Sequence, residues 1–197
     1  VFYDLDKDGW DDLIVAGEWM PVKIFRNTRG NFSAIDIPAS TGLWQSLLVT
    51  DLNKDVNPDI LAGNWGQNSK LFAGKDGPLK LYIKDFDNNG SVEQVMTYTI
   101  DKQEYTFLAK DELERALPVL KKAYLQYSEV AGKTVQYMFY DLFTGYTERK
   151  AEQLSSCLFL NNGKNGFTMM NLPDEFQLAP VFAFAPMDDA QQVFTGG

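Results

Sequence analysis

The chain has 197 residues, 45% hydrophobic and 14% aromatic, a composition that folds rather than one that stays disordered. A formal charge of −9, from 27 acidic and 18 basic residues, leaves no basic patch for a nucleic-acid partner. Histidine is absent and Cys157 is the single cysteine, which removes the commonest general base and any internal disulfide.

No apolar run reaches the roughly 18 residues a membrane-spanning helix needs, so no membrane span is expected. VFYDLDKDGW is not a signal peptide and reads as the end of a strand followed by an acidic loop. That loop recurs as DLDKDGWDD at 4–12, DLNKDVNPD at 51–59 and DFDNNGSVE at 85–93. In each copy, side-chain oxygens stand at positions 1, 3, 5 and 9. They are Asp4, Asp6, Asp8 and Asp12; Asp51, Asn53, Asp55 and Asp59; and Asp85, Asp87, Asn89 and Glu93. Like charges so close repel, and a bound Ca²⁺ resolves the conflict, because it takes six to eight hard oxygen ligands in a flexible geometry. Trp10, Asn57 and Ser91 at position 7 would add backbone carbonyls. Up to three Ca²⁺ ions are expected, moving the net charge from −9 to about −3. Carboxylates at the ligand positions number four, three and three, and the expected affinity order is first loop, third, second. Val56 is a poor residue at the position where the other loops carry Gly9 and Gly90.

An EF-hand begins the same way but needs a bidentate Glu at position 12, and here that position is Val15, Ala62 and Met96. LIVAG, ILAG and QVMTYT after the loops are β-prone, not amphipathic helices.

A strand, an acidic D-x-D-x-D-G-x-x-D-L loop and an apolar strand closing on glycine, as over Asp4 to Gly17, resemble the FG-GAP (or VCBS) repeat of integrin-α-like β-propellers. FLNNGKNGF at 159–167 resembles the repeat's outer-strand turn, and KIFRNTRGNF at 23–32 is a looser copy. GEWMP and GNWGQNS are similar to stretches in large secreted bacterial repeat proteins. The resemblance implies a mainly β fold: a partial propeller of about three four-stranded antiparallel blades with Ca²⁺-binding loops and a small helical insertion. It also implies an extracellular, cell-surface or periplasmic setting.

Blade one is expected from residues 1–4, 12–17, 22–27 and 32–37, and blade two from WQSLLVT, DILAG, SKLFAG and PLKLYIK. Blade three shares or begins with that last strand and continues through EQVMTYTI. Residues 1–100 thus hold the blades and 101–155 a hairpin with a helical insertion. Residues 156–197 hold outer strands of a blade and a further degenerate repeat, in which Asp188 and Asp189 are expected to bind no metal. Over 110–130 the helix carries a capping box of Asp111 with Glu114 and an apolar face of Leu113, Leu117, Leu120, Tyr124 and Tyr127, interrupted by Pro118.

About three blades do not close a ring, so the chain reads as part of a longer propeller, with open sheet edges favouring self-association. The function expected is non-catalytic Ca²⁺-dependent binding of an unidentified protein or glycan. The alternatives are an architectural segment without a ligand and a carboxylate-dependent polysaccharide-degrading enzyme. Asp111, Glu148, Asp174 and the other carboxylates outside the repeats show no motif spacing. Trp19, Trp44 and Trp65 are expected to pack and Trp10 to be the most exposed tryptophan.

Overall fold

The structure, a computed structural model, describes residues 1–71, 73, 77–187 and 192–197. The N-terminal strands are β1 (Phe2–Tyr3), β2 (Asp12–Val15), β3 (Glu18–Met20), β4 (Lys23–Thr28) and β5 (Asn31–Asp36). They are followed by β6 (Gly42–Leu43), β7 (Ser46–Thr50) and β8 (Asp59–Gly63). The middle of the chain holds β9 (Leu79–Lys84), β10 (Glu93–Ile100) and β11 (Gln103–Thr106). Helices α1 (Lys110–Ala116), α2 (Pro118–Ala123), α3 (Tyr127–Val130) and α4 (Val135–Phe139) lead to β12 (Thr147–Ala151). The chain ends with β13 (Cys157–Asn161), β14 (Phe167–Asn171), β15 (Ala183–Pro186) and β16 (Val193–Gly196).

The fold is mainly β, with a small helical part and several four-stranded antiparallel sheets that do not close. It divides into two compact units, one of residues 1–70 and 152–197, the other of 71–151.

In the first unit, one sheet has the order β1-β2-β4-β5, the expected blade one. The other has the order β14-β13-β8-β7, so the third and fourth strands of blade two come from 157–171. This corrects the expectation for blade two. Of SKLFAG, Phe72 and residue 74 lie outside the described residues, while Ser69 to Leu71 form no strand. PLKLYIK becomes β9 of a different sheet. Segment 157–161 suits the place because Cys157 and Phe159 point inward on alternate residues, with Phe159 edge-on to Trp44 at 5.7 Å between ring centroids. Leu5, Ile14, Val22 and Ile24 of the first blade pack with Trp44, Val49, Ile60, Ala62, Cys157 and Phe159 of the second in one core. Cys157 is fully buried in this core, and burial pushes its thiol up to about 12. Gly63 closes β8 because a Cβ there would collide with the Val181 carbonyl and the Ser46 hydroxyl, which are themselves bonded at 2.7 Å. The β15–β16 hairpin follows, and Asp188 and Asp189, between its strands, lie outside the described residues.

The second unit has a sheet of order β11-β10-β9-β12 and its own core, in which Tyr82, Phe86 and Val95 meet Leu113, Leu117, Leu120, Val135 and Phe139 from the helices. β12 adds beside β9, the strand that leads into the third acidic loop, whereas β1 stays at the edge of blade one. TERKA was expected within the helical insertion. It shows no alternation because the first four of its residues are exposed. Pro118 splits the helix as expected, leaving Leu117 between α1 and α2. The cap differs: Glu112 accepts from the Ala109 N–H at 3.0 Å, while Glu114 reaches back to Lys110 at 2.5 Å. Leu113, Leu117 and Leu120 are buried and Tyr124 half-buried, but Tyr127, beyond the next break in the helix, is exposed.

On one face of this sheet, Lys80 pairs with Glu104 at 2.7 Å and Glu148 at 3.5 Å, and the Tyr82 hydroxyl donates to Glu104 at 2.5 Å. Burial raises the Tyr82 phenol well above its ordinary 10.0, and the Glu104 contact adds to it. For Lys80, burial alone would lower the ammonium, but Glu104 and Glu148 outweigh it and raise the group above 10.5. Both groups hold their protons more tightly folded than unfolded. The stability they contribute is therefore complete below pH 10.0 and lost as pH rises through their folded values. Tyr82→Phe should cost about 1 kcal/mol at neutral pH and flatten the alkaline limb of a urea-unfolding pH series.

Candidate metal centres

The three acidic loops share one backbone design. Position 4 is left-handed in each, with φ of +61° at Lys7, +60° at Lys54 and +57° at Asn88. Position 6 is left-handed too, at +88° in Gly9, +79° in Val56 and +90° in Gly90. The same side-chain bonds hold each turn. The position-1 carboxylate accepts two successive backbone N–H groups: Asp4 from Asp8 at 3.1 Å and Gly9 at 2.9 Å. Asp51 does so from Asp55 at 3.1 Å and Val56 at 2.9 Å, and Asp85 from Asn89 at 3.0 Å and Gly90 at 2.8 Å. The position-5 oxygen accepts the position-7 N–H: Asp8 from Trp10 at 2.9 Å, Asp55 from Asn57 at 2.8 Å and Asn89 from Ser91 at 2.7 Å. In the second loop Asn53 accepts from the Asp55 N–H at 2.9 Å, and its amide donates to the Asp55 carboxylate at 2.9 Å.

The position-9 acid plays a different part. Asp12, Asp59 and Glu93 are buried, and each accepts the position-2 N–H, from Leu5 at 3.3 Å, Leu52 at 3.2 Å and Phe86 at 2.9 Å. Asp12 and Asp59 also accept from Asn27 N at 2.8 Å and Asn161 N at 2.9 Å on the third strand of their blades. Those two asparagines use their amides alike, bonding Asp11 O and Pro58 O, with their Oδ1 atoms accepting from Gly30 and Gly163. Burial raises the Asp12 and Asp59 carboxyls against the opposing pull of these bonds. Asp55 is lowered, chiefly by the bond from Asn57 N–H.

Among the described residues, three carboxylates come within 4.8 Å of one another in two of the loops, as Asp4, Asp6 and Asp8 and as Asp85, Asp87 and Glu93. Asp12 does not join the first group. Arg26 pairs with both Asp6 and Asp12, lying 3.8 Å from the latter, so a built-in cation already serves two of the four expected side chains. In the third loop Asp87 Oδ1 is buried without a hydrogen-bond partner. A buried carboxylate oxygen in that state costs free energy that a divalent cation would remove. The donor set of hard oxygens suits Ca²⁺. Trp10 is 45% exposed beside the first loop, Trp44 is buried, and Trp19 and Trp65 are half-buried.

The sequence pattern located all three loops but missed Arg26, Asn27 and Asn161. The turns RNTRGN and LNNGKNG carried the signal, an asparagine just ahead of a positive-φ glycine at the end of the third strand.

With this geometry in view, residues 4–62 match the family of the FG-GAP-like repeat, covering the first blade except β1, the second acidic loop and nearly all of β8. No curated protein and no solved structure matches the chain.

Val56 is 61% exposed, so its side chain gains little in return for its left-handed backbone. Val56→Gly should stabilise the metal-free protein by about 1 kcal/mol in urea unfolding. Asp59→Ala should destabilise it by about 3 kcal/mol in EDTA, because the Leu52 and Asn161 N–H groups lose their acceptor.

Proposed function

Residues 4–62 being an FG-GAP-like repeat, we propose that this chain is a Ca²⁺-stabilised, non-catalytic propeller segment that binds a protein or glycan in a secreted or cell-surface setting. One observation carries the reading: the same preorganised acidic turn is built three times, and in the third it leaves a buried carboxylate oxygen unpartnered. Repetition of the turn with residues as unlike as Trp10, Asn57 and Ser91 at position 7 argues for a common ligand rather than for three accidents of local charge.

Ligand number alone favours the first loop, whereas the geometry favours the third. A cation entering the first loop competes with Arg26 for Asp6, while the third gathers Asp85, Asp87 and Glu93 with no ion-paired basic side chain among the described residues. The second has Asn53 at position 3 and ranks last. Extracellular modules hold Ca²⁺ at about 10⁻⁴–10⁻³ M, so sites of this modest charge would be filled in such a setting. Among the described residues no helix is long and apolar enough to cross a membrane. Exposed Trp10 supports a binding surface near the first loop, since an aromatic face can stack on a sugar or a side chain.

Thermal unfolding of the whole chain in EDTA and across a Ca²⁺ titration, with Mg²⁺ as control, tests the reading. Binding to the folded state stabilises it by RT ln(1 + [L]/Kd), about 2.7 kcal/mol per site at a hundredfold excess over Kd. A Ca²⁺-selective rise in midpoint is expected. Asp87→Asn should leave the EDTA midpoint unchanged or higher and remove the tightest phase of the Ca²⁺ response. Arg26→Gln should lower the EDTA midpoint and strengthen the response of the first loop. No Ca²⁺-dependent shift, with no calcium found in the protein by elemental analysis, would overturn the proposal.

A further inference from the structure

We infer that the third acidic loop modifies itself: Asn89 loses its side-chain amide through attack by the Gly90 nitrogen, with Asp85 as the base. Asparagine followed by glycine is the pair most open to this reaction, because no Cβ shields the attacking nitrogen. The chain has three such pairs, Asn89–Gly90, Asn162–Gly163 and Asn165–Gly166.

The structure sets the first apart from the second. The Gly90 N–H donates to Asp85 Oδ2 at 2.8 Å, so a carboxylate already touches the proton that must leave. The Ser91 N–H donates to Asn89 Oδ1 at 2.7 Å, so a donor already faces the oxygen on which negative charge develops. Asn89 and Gly90 are exposed, and water reaches them. At the second pair, the Gly163 N–H donates to the neutral amide oxygen of Asn161 at 3.0 Å. The Asn162 amide nitrogen is meanwhile held by Thr168 Oγ1 at 2.8 Å. That site has an acceptor but no base.

The chemistry balances without a redox partner. The Gly90 nitrogen forms a bond to Asn89 Cγ while its proton passes to Asp85. The Cγ–Nδ2 bond breaks, the proton returns to the departing nitrogen, and ammonia leaves behind a five-membered cyclic imide. Water then opens the ring, at Cγ to give aspartate or at the main-chain carbonyl to give isoaspartate. Overall, one water is consumed and one ammonia released. The aspartate product places a carboxylate at position 5, where the other loops carry Asp8 and Asp55. The isoaspartate product inserts a methylene into the main chain and breaks the shared turn.

A cation on Asp85 would neutralise the base and protect Asn89. That coupling rests on the Ca²⁺ reading proposed above, whereas the role of the base does not.

The test is incubation of the folded chain at neutral pH in EDTA and in Ca²⁺, followed by tryptic mapping. Peptide 85–102 reports Asn89 and peptide 151–164 reports Asn162, each as deamidated forms resolved into aspartate and isoaspartate isomers. In EDTA, Asn89 should react at least about tenfold faster than Asn162, a modest share of what a positioned base supplies. Asp85→Asn should slow Asn89 by a similar factor and leave Asn162 unchanged. Equal rates at the two sites in wild-type protein would overturn the inference, whether or not the variant folds. So would an unchanged Asn89 rate in a folded Asp85→Asn protein. Ca²⁺ should slow Asn89 alone. If the EDTA difference holds but Ca²⁺ has no effect, the modification stands and the metal reading fails at this loop.

Discussion

The rest of the structure depends on a carboxylate buried at the ninth position of each acidic loop. Asp12, Asp59 and Glu93 reach back to the second residue of their own loop, and the two aspartates also reach across to the third strand of their blade. A buried acid of this kind is costly unless its oxygens are bonded, so it permits only a narrow set of chain paths around it. One group thereby closes the turn and, in the two blades, sets where the third strand lies.

With position 9 facing inward, the side chains at positions 1 and 5 accept the turn's own amides, whereas Asp87 at position 3 of the third loop keeps a buried oxygen with no hydrogen-bond partner. The loop is preorganised before any cation arrives, and the repulsion among its carboxylates remains to be relieved. The first loop does so in part with Arg26, placed on β4 one residue before the Asn27 that binds Asp12. Among the described residues the third has no such partner, and its unbonded Asp87 oxygen records the difference. Acid count alone therefore does not rank the sites.

The middle of the chain follows other physics. Its sheet extends beside β9 with β12, and Lys80, Glu104, Tyr82 and Glu148 are tied together on the same face that carries Val95. The helices cover an apolar surface built from Tyr82, Phe86 and Val95. Glu104 and Glu148 are both engaged with one lysine, Lys80. What the segment shares with the two blades is the acidic turn itself, between β9 and β10.

The sequence by itself determined the local features. Oxygen ladders, with glycine at position 6 in two of the three, dictate the turns, short β-prone apolar runs dictate β2, β4, β7 and β8, and Pro118 dictates the break between α1 and α2. Each rests on chemistry within about ten residues. Only the tertiary structure decided that blade two is completed by 157–171 across an inserted unit, because nothing local distinguishes SKLFAG from CLFLN as a partner for β8. The choice falls to Asn161 meeting Asp59 and to Phe159 meeting Trp44, contacts that exist only once the chain has folded back. The same holds for Arg26, whose effect on the first loop depends on strand pairing that places it beside Asp6 and Asp12. It holds for β12 as well, whose largely exposed residues carry no alternation to read.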